Sequence, residues 1–253
     1  MMQKLLSSCY LTVMILVLHM DSGYGENAPA DSLKILVYGA TGKIGTHVVD
    51  EALSRGHRVT AVSRDPSRIT QSHDNLSAVK GDILDPESIA DLVAGQDVVI
   101  ISVRGVVGKS KDPNSAIQRI AVENLVEALR DIGGDSPRLI HVGGAGALKV
   151  APDVLYADRL PKAFLPKKLE IEIAGQVLAL EYLRTVKDVC WSYATPPKNL
   201  TNGKRTGVFR IGGEQLLEDS LGRSRVSRAD FAVALVDEAE SAKYVQQQFS
   251  VVY

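Results

Sequence analysis

Short apolar stretches alternate with longer amphipathic repeats from residue 33 to the end of the chain. An unbroken apolar stretch such as 97–103 is typical of a strand covered on both faces, whereas apolar residues every three or four positions indicate a helix. The pattern predicts strands over 33–38, 58–63, 76–80, 97–103, 138–142 and 189–194, and helices that begin near residues 43, 86, 117 and 171. Because no linker or repeat interrupts this alternation, we predict one α/β domain with a doubly wound parallel sheet.

The pattern changes after residue 197. It predicts a short strand over 207–211, a capping box from Ser227 to Asp230 with a helix over 231–239, and a final strand over 248–252. We expect this part to be a small C-terminal substrate lobe over the carboxyl ends of the parallel strands, where ligands bind in such sheets. The predicted single domain spans residues 31–253.

Residues 1–30 have a different pattern. Lys4 precedes an apolar run over 11–18, and the polar stretch that follows has small residues at 23/25 or 28/30 as candidate cleavage positions. This layout predicts a secretory signal peptide with a disordered lead and export of the mature chain, since the apolar run is too short for a membrane span. The alternative is that translation starts at Met20 and the protein is cytoplasmic.

Composition and charge exclude several classes of function. The 253-residue chain has a net charge of -1, 5% aromatic residues and no basic run, so we expect no nucleic-acid partner. Its five histidines show no ligand spacing with cysteines or carboxylates, so no metal site is predicted. Cys9 lies in the predicted signal peptide. Cys190 lies in an apolar run, where we expect a buried, inert thiol.

A glycine-rich turn separates the first predicted strand from the first helix. The turn needs Gly39 to change direction, Gly42 to let backbone approach phosphates, and Gly45 to let helix and strand pack closely. The helix then presents free N–H groups and the positive end of its dipole to an anion. Strand, turn, helix and second strand have the length of one βαβ unit, so we predict a dinucleotide site.

The end of the second strand indicates which dinucleotide binds. An acidic residue there would accept from the ribose 2′-hydroxyl of NAD, but this chain has Ser63 and Arg64, and a guanidinium pairs well with a 2′-phosphate. Asp65 is the competing signal. In the sequence Asp65-Pro66-Ser67 it favours the start of a short helix. We therefore predict NADP, with NADPH preferred over NADH.

The chain resembles the atypical short-chain dehydrogenase/reductase group, in particular the NAD(P)H-binding proteins similar to flavin/biliverdin reductase and the related NmrA-like proteins. The resemblance runs from Lys34 to about residue 252. The segments that carry it are Gly-Ala-Thr-Gly-x-x-Gly at 39–45, Val-Ser-Arg-Asp at 62–65, Gly-Asp-Ile at 81–83, Ala-Gly-Gln-Asp at 94–97, Pro-Pro at 196–197, and Ser-Arg-Val-Ser at 224–227 with Asp230.

The resemblance implies roles for the residues at matching positions. Thr41, Gly42, Lys43 and Ile44 would hold the pyrophosphate. Arg64 would hold the 2′-phosphate, and Asp82 with Ile83 would hold the adenine. The nicotinamide ribose and the nicotinamide face would be bordered by Ser102, Val103, Arg104, Gly143, Gly144, Thr195, Pro196 and Pro197.

The chain departs from that group where catalysis is concerned. Typical members carry Tyr-x-x-x-Lys, whose lysine lowers the tyrosine pKa, but no tyrosine here has a lysine four residues later. The serine after the fifth strand is also absent, since 142–146 reads Val-Gly-Gly-Ala-Gly. No catalytic residue is assigned. Arg104, Tyr156 and His141 are polar candidates, and we expect His141 to be a core histidine.

These observations favour an oxidoreductase that delivers hydride from NADPH to an electron-poor acceptor such as a flavin, a quinone or a tetrapyrrole. A non-enzymatic NADP-binding sensor or regulatory protein is the alternative, since it would also lack the catalytic pair. A sugar-nucleotide epimerase or dehydratase is a third possibility, but it requires that pair.

Overall fold

The computed structural model describes residues 32–253, so the predicted signal peptide lies outside the described residues. The strands are β1 (Lys34–Tyr38), β2 (Arg58–Ser63), β3 (Leu76–Lys80), β4 (Val98–Ile101), β5 (Arg138–Val142), β6 (Lys149–Ala151), β7 (Val154–Leu155), β8 (Trp191–Thr195), β9 (Asn199–Thr201), β10 (Arg210–Gly212), β11 (Arg225–Ser227) and β12 (Gln247–Val252). The helices are α1 (Gly45–Ser54), α2 (Pro86–Val93), α3 (Ile117–Ile132), α4 (Tyr156–Arg159), α5 (Lys167–Thr185) and α6 (Arg228–Ser241).

Eight strands form the main sheet, in the order β10-β12-β8-β5-β4-β1-β2-β3. Every neighbouring pair is parallel except β10 and β12. The chain builds outward from β1 through β2 to β3, and then crosses to the other side of β1 to form β4. The carboxyl ends of β1 and β4 are therefore adjacent, with Tyr38 paired to Ile101. Such a switch in strand order is where α/β sheets bind ligands.

Helices cover both faces of this sheet, which explains the unbroken apolar strands. Ile35 and Val37 belong to the core beneath α1 and α6. Leu36 and Tyr38, one position along, belong to the core beneath α2, α3 and α5. Alternate residues of a strand point to opposite faces, so a strand buried on both sides is apolar throughout. The predicted doubly wound α/β fold is confirmed.

Element boundaries follow the sequence pattern closely in the first half of the chain. Strands predicted at 58–63, 76–80 and 138–142 have those bounds in the structure, and the helix predicted from residue 86 begins at Pro86. β4 is shorter than the predicted 97–103 because Val103 and its neighbours leave the ladder to line a cavity. α5 begins before the predicted residue 171, because Pro166 precedes a charged first turn that hides the apolar repeat.

The C-terminal part differs from the predicted lobe. β10 and β12 extend the main sheet, and β9 and β11 form a separate two-stranded sheet. The predicted strand over 207–211 is displaced to β10, and Val208 is 74% exposed. Ser227 does cap α6, accepting from the amide of Asp230 at 2.9 Å. Within the predicted lobe, Pro196, Lys198 and Leu200 after β8 line a cavity described below.

The expectation of a buried Cys190 thiol is wrong, because Cys190 is exposed while its neighbours Val189 and Trp191 take the buried positions. No helix among residues 32–253 is long and apolar enough to cross a membrane.

Candidate functional site

The glycine turn after β1 has the geometry that its three glycines predict. Gly39 has a φ of +81°, and a Cβ there would lie 2.3 Å from the carbonyl oxygen of Ser102 at the end of β4. A Cβ on Gly45 would lie 2.1 Å from the carbonyl oxygen of Gly39. Side chains at either position would collide with backbone, which cannot move aside cheaply. Glycine is thus required both for the turn and for the approach of α1 to it.

The backbone of this turn is arranged to receive an anion. Gly42 N donates to Gly39 O at 2.8 Å, and Thr46 Oγ1 donates to the carbonyls of Ala40 and Gly42, so the carbonyls are occupied from within. The amides of Lys43 and Ile44 donate to no atom of residues 32–253. Free amides at the start of a helix attract a negative group. α1 itself begins at Gly45, two residues after the predicted start.

A first cavity of about 470 Å³ opens along the carboxyl edge of β1, β2 and β3. It brings together nine of the predicted site residues, which are Gly39, Thr41, Gly42, Arg64, Asp82, Ile83, Ser102, Val103 and Arg104. Residues that the sequence did not single out also line it, including Tyr38, Arg68 and Leu84. The predicted nucleotide residues from four separate segments therefore surround one space.

The end of this cavity near β2 carries positive charge. Arg64 and Arg68 both line it, together with Ser63. Asp65 lines the cavity too, and its carboxylate accepts from Ser67 N at 3.2 Å and Ser67 Oγ at 2.6 Å. Asp65 is therefore the cap of the short 3-10 helix Pro66–Arg68, as predicted.

The residues predicted to contact the adenine, Asp82 and Ile83, lie in the loop after β3. Asp82 Oδ1 accepts from Leu84 N at 3.0 Å, and the carbonyl of Ile83 accepts from Asn124 Nδ2 at 3.2 Å. These bonds hold the loop between β3 and α2 in place. Tyr38 lies nearby with its hydroxyl buried and without a partner among the described residues. Burial raises the Tyr38 pKa, and the charges of Asp82 and Asp85 raise it further, so the phenol stays protonated.

A second cavity, of about 390 Å³, adjoins the first. The two share Ser102, Val103 and Arg104. The second cavity is also lined by Ile44, Gly143, Gly144 and Pro196 from the predicted site. Hence the segment that follows β4 borders both spaces.

Four predicted residues line neither of these two cavities. Lys43 is exposed, and Gly45 packs against the turn. Thr195 is fully buried and accepts from Gln248 Nε2 at 3.0 Å, and Pro197 is buried as well. Their predicted roles toward a cofactor stay predictions.

Three buried polar side chains line the second cavity, and sequence analysis missed all of them. They are Gln118 on α3 and Glu172 and Gln176 on α5. Glu172 and Gln176 lie one turn apart on the same helix face as Leu169 and Ile173. Polar residues on an otherwise apolar helix face were the available signal. The remaining lining is mostly apolar and includes Tyr156, Leu160, Leu165 and Leu200.

The predicted core character of His141 is confirmed. Its ring is 1% exposed, stacks on Tyr193 and lies with Nε2 2.9 Å from Gln176 Oε1. Burial lowers the His141 pKa to about 4, against the opposing hydrogen bond to Gln176. Tyr193 donates to the Gln176 carbonyl at 2.8 Å, and burial raises its pKa. This group positions Gln176, and His141 itself does not line the cavity.

Tyr156 and Arg104 do reach the second cavity. Lys198 Nζ lies 5.5 Å from the centre of the Tyr156 ring, over its face. This arrangement is a cation–π contact and lacks the helical spacing of a Tyr-x-x-x-Lys pair. Among residues 32–253, no group of three or more histidine, cysteine or acidic side chains could hold a metal ion.

Comparison with known proteins places the chain among nucleotide-binding proteins. The sequence model of a family described as NAD(P)H-binding matches residues 39–242. Three solved structures are similar over nearly the whole domain. A proposed epimerase from Bacteroides thetaiotaomicron is 28% identical, with a TM-score of 0.78, covering 88% of this chain and 98% of its own.

The other two structures differ in their descriptions. A proposed exported protein from Burkholderia pseudomallei is 36% identical, with a TM-score of 0.73, covering 87% of this chain and 100% of its own. A proposed NADH-flavin reductase from Streptococcus pneumoniae is 27% identical, with a TM-score of 0.71, covering 87% and 99%.

Proposed function

We propose that this chain, which belongs to the NAD(P)H-binding family, is an oxidoreductase that transfers hydride from NADPH to an electron-poor acceptor. The observation that carries the proposal is the pair of adjoining cavities that share Ser102, Val103 and Arg104. One cavity combines the glycine turn with a cationic end, and the other is mostly apolar. A dinucleotide in the first cavity would extend its nicotinamide past the shared segment into the second, where a flat acceptor would meet it.

The glycine turn and the residues of the first cavity together fit the phosphates of a dinucleotide. The free amides of Lys43 and Ile44 and the start of α1 would hold the pyrophosphate. Arg64 would pair with a 2′-phosphate, and Asp65 is engaged in capping. This arrangement supports NADPH over NADH. When bound, the nicotinamide supplies a hydride.

The second cavity would hold and orient the acceptor. Its apolar lining suits the ring of a flavin, a quinone or a tetrapyrrole and would keep bulk water away from the transfer. Gly143 and Gly144 line this cavity, and glycine at 143 lets the Tyr193 ring pack against the backbone, since a Cβ there would lie 2.1 Å from the ring. Positioning of two reactants in this way can supply much of the rate enhancement.

A non-enzymatic NADP-binding sensor is the second candidate. The observation that favours it concerns the polar candidates near the second cavity. His141 is buried in the core, where it contacts Gln176, and Tyr156 has no lysine at the usual helical spacing. An epimerase or dehydratase, which would use that Tyr-Lys pair, is less well supported, although one similar structure is a proposed epimerase.

Export is part of the proposal. The signal-peptide layout of residues 1–30 supports it, and a proposed exported protein is 36% identical over the domain. The alternative start at Met20 predicts a cytoplasmic protein. N-terminal sequencing of the protein purified from its native cells would distinguish the two.

The first experiment titrates the chain from residue 31 to 253 with NADPH and NADH by calorimetry, with Arg64→Ala as the variant. We expect NADPH to bind tightly and Arg64→Ala to weaken NADPH at least tenfold while leaving NADH almost unchanged. Arg58→Ala, at the other end of the same strand, is the matched control and should change neither affinity.

Nucleotide binding then permits an acceptor screen. Oxidation of NADPH by a flavin, quinone or tetrapyrrole would support the reductase. Tight binding with no turnover on any acceptor would favour the sensor, and failure to bind either nucleotide would overturn both.

A further inference from the structure

We infer that Glu172 selects the acceptor by accepting a hydrogen bond from a ring N–H group on it. The inference rests on the proposed function, because it concerns the acceptor cavity of the same site. It assigns a specificity-determining role to a residue that no sequence motif singles out.

The Glu172 side chain is buried, and one of its two carboxylate oxygens is available for a further hydrogen bond. Its side chain is 7% exposed and lines the second cavity. Arg104 Nε and Nη2 donate to the same oxygen, Oε2, at 2.9 and 2.6 Å. The other oxygen, Oε1, accepts no hydrogen bond from residues 32–253. A carboxylate has acceptor capacity on both oxygens, and Oε1 is not among the buried unpartnered atoms, so a donor on a ligand in the cavity can reach it.

The surrounding side chains show which kind of ligand would supply that donor. Gln118 and Gln176 add polar groups to the same cavity, and Gln118 Oε1 is buried without a partner in the described part of the chain. Leu160, Leu165 and Leu169 belong to the apolar remainder. The ligand that matches this lining is a largely apolar ring system with a hydrogen-bond donor on one edge.

The three proposed acceptor classes differ in whether they carry an N–H donor at the edge of the ring. A flavin carries an imide N–H and a tetrapyrrole carries lactam or pyrrole N–H groups. An oxidised quinone presents only carbonyl oxygens, which a carboxylate repels. Glu172 therefore favours acceptors with a ring N–H and disfavours quinones.

The experiment compares riboflavin with 3-methylriboflavin, in which a methyl group replaces the imide hydrogen. Binding to the protein saturated with NADP⁺ is followed by quenching of flavin fluorescence, and turnover is followed by NADPH oxidation. We expect the unaltered protein to prefer riboflavin roughly 10- to 100-fold in both measurements, the range for a hydrogen bond to a charged group. This comparison needs no variant.

The variants then assign the preference to Glu172. Glu172→Met should reduce it to less than about threefold and improve quinone binding. Glu170→Met is the matched control, since Glu170 lies on the same helix, pairs with Lys167 and is absent from the cavity lining. It should keep the full preference.

The cofactor offers a second N–H source, the nicotinamide carboxamide. The 3-acetylpyridine analogue of NADP⁺, which lacks that N–H₂, separates the two sources. If Glu172→Met weakens NADP⁺ but not this analogue, and leaves the preference between the two flavins unchanged, the carboxylate serves the cofactor and the inference is overturned.

Equal binding of the two flavins to the unaltered protein would also overturn the inference. It would leave the reductase proposal intact, provided that NADPH is still oxidised. Binding discrimination without turnover would instead support the inference about Glu172 and count against the reductase.

Discussion

His141 Nε2 lies 2.9 Å from Gln176 Oε1, and this pair joins β5 to α5 inside the core. The contact holds the Gln176 side chain in the wall of the second cavity. It also places an ionisable ring where a positive charge would be poorly solvated. Burial accordingly lowers the His141 pKa from 6.5 to about 4.

Stability should therefore depend on pH between these two values. A histidine whose pKa is lower in the folded state takes up a proton on unfolding, so the free energy of unfolding falls as the pH drops from about 6.5 to 4. The full loss is on the order of 3 kcal/mol. Urea unfolding at several pH values measures it.

The slope of stability against pH is the quantity to compare among variants. His141→Gln should flatten it over this range, even if the variant is less stable throughout. His73→Gln, which changes an exposed histidine, should leave it as it is. An unchanged slope in His141→Gln would contradict the prediction.

A methyl group on Gly45 should damage both stability and nucleotide binding. The added Cβ would lie 2.1 Å from Gly39 O, so α1 must shift away from the turn. We expect Gly45→Ala to cost about 1–3 kcal/mol in urea unfolding and to weaken NADPH in a titration. Gly134→Ala meets nothing within 4 Å and is the control. Wild-type affinity in Gly45→Ala would show that the approach of α1 is not needed for binding.

Asp65 should matter for local structure and little for the choice of nucleotide. Its carboxylate caps the 3-10 turn through Ser67, and asparagine is an equally good cap. Asp65→Asn should therefore leave the NADH affinity within about twofold, because a capping asparagine preserves the turn. A large loss of NADH binding in calorimetry would instead identify Asp65 as a ribose ligand.

Asp230 on α6 binds Thr206, Gly207 and the C-terminal Tyr253, and we expect the stability that these hydrogen bonds provide to depend on pH. It is fully buried and accepts from Thr206 N, Gly207 N and the hydroxyl groups of Thr206 and Tyr253. Burial alone would raise the Asp230 pKa, but these hydrogen bonds, led by that of Tyr253, outweigh it and hold the pKa below its usual value.

The sign of the effect follows from that lowered pKa. The stabilisation is complete above the unfolded pKa of about 4 and is lost as the pH falls through the folded value. Tyr253→Phe should cost about 1 kcal/mol at neutral pH. Asp230→Asn should cost more, and its stability should depend less on pH below 4 in urea unfolding. An acid profile like that of the unaltered protein would refute this.

Local interactions are the reason why so much of the fold was predictable from sequence. The apolar runs of β1 and β4 reflect burial on both faces, and the glycine spacing at 39–45 reflects a turn whose geometry only glycine permits. The Asp65 cap and the Ser227 cap likewise depend on residues two or three positions away. Such features need no knowledge of distant segments.

The nucleotide roles of Arg64, Asp82 and their neighbours stay predictions, although the structure gathers most of these residues around one cavity. The bounds of the strand predicted over 207–211 and the burial of Cys190 were predicted wrongly. Both depend on which distant strand or solvent a segment faces, and hydrophobicity alone does not specify that.

By itself, the sequence determined the alternation of strands and helices and the glycine turn, because these follow from short-range spacing and backbone sterics. Only the tertiary structure decided that Arg104 reaches Glu172 across 68 residues of chain, and that Gln118 joins them around a second cavity. Each of these polar groups resembles an ordinary helix or loop residue in sequence. Its chemistry arises from burial beside partners that the fold brings together.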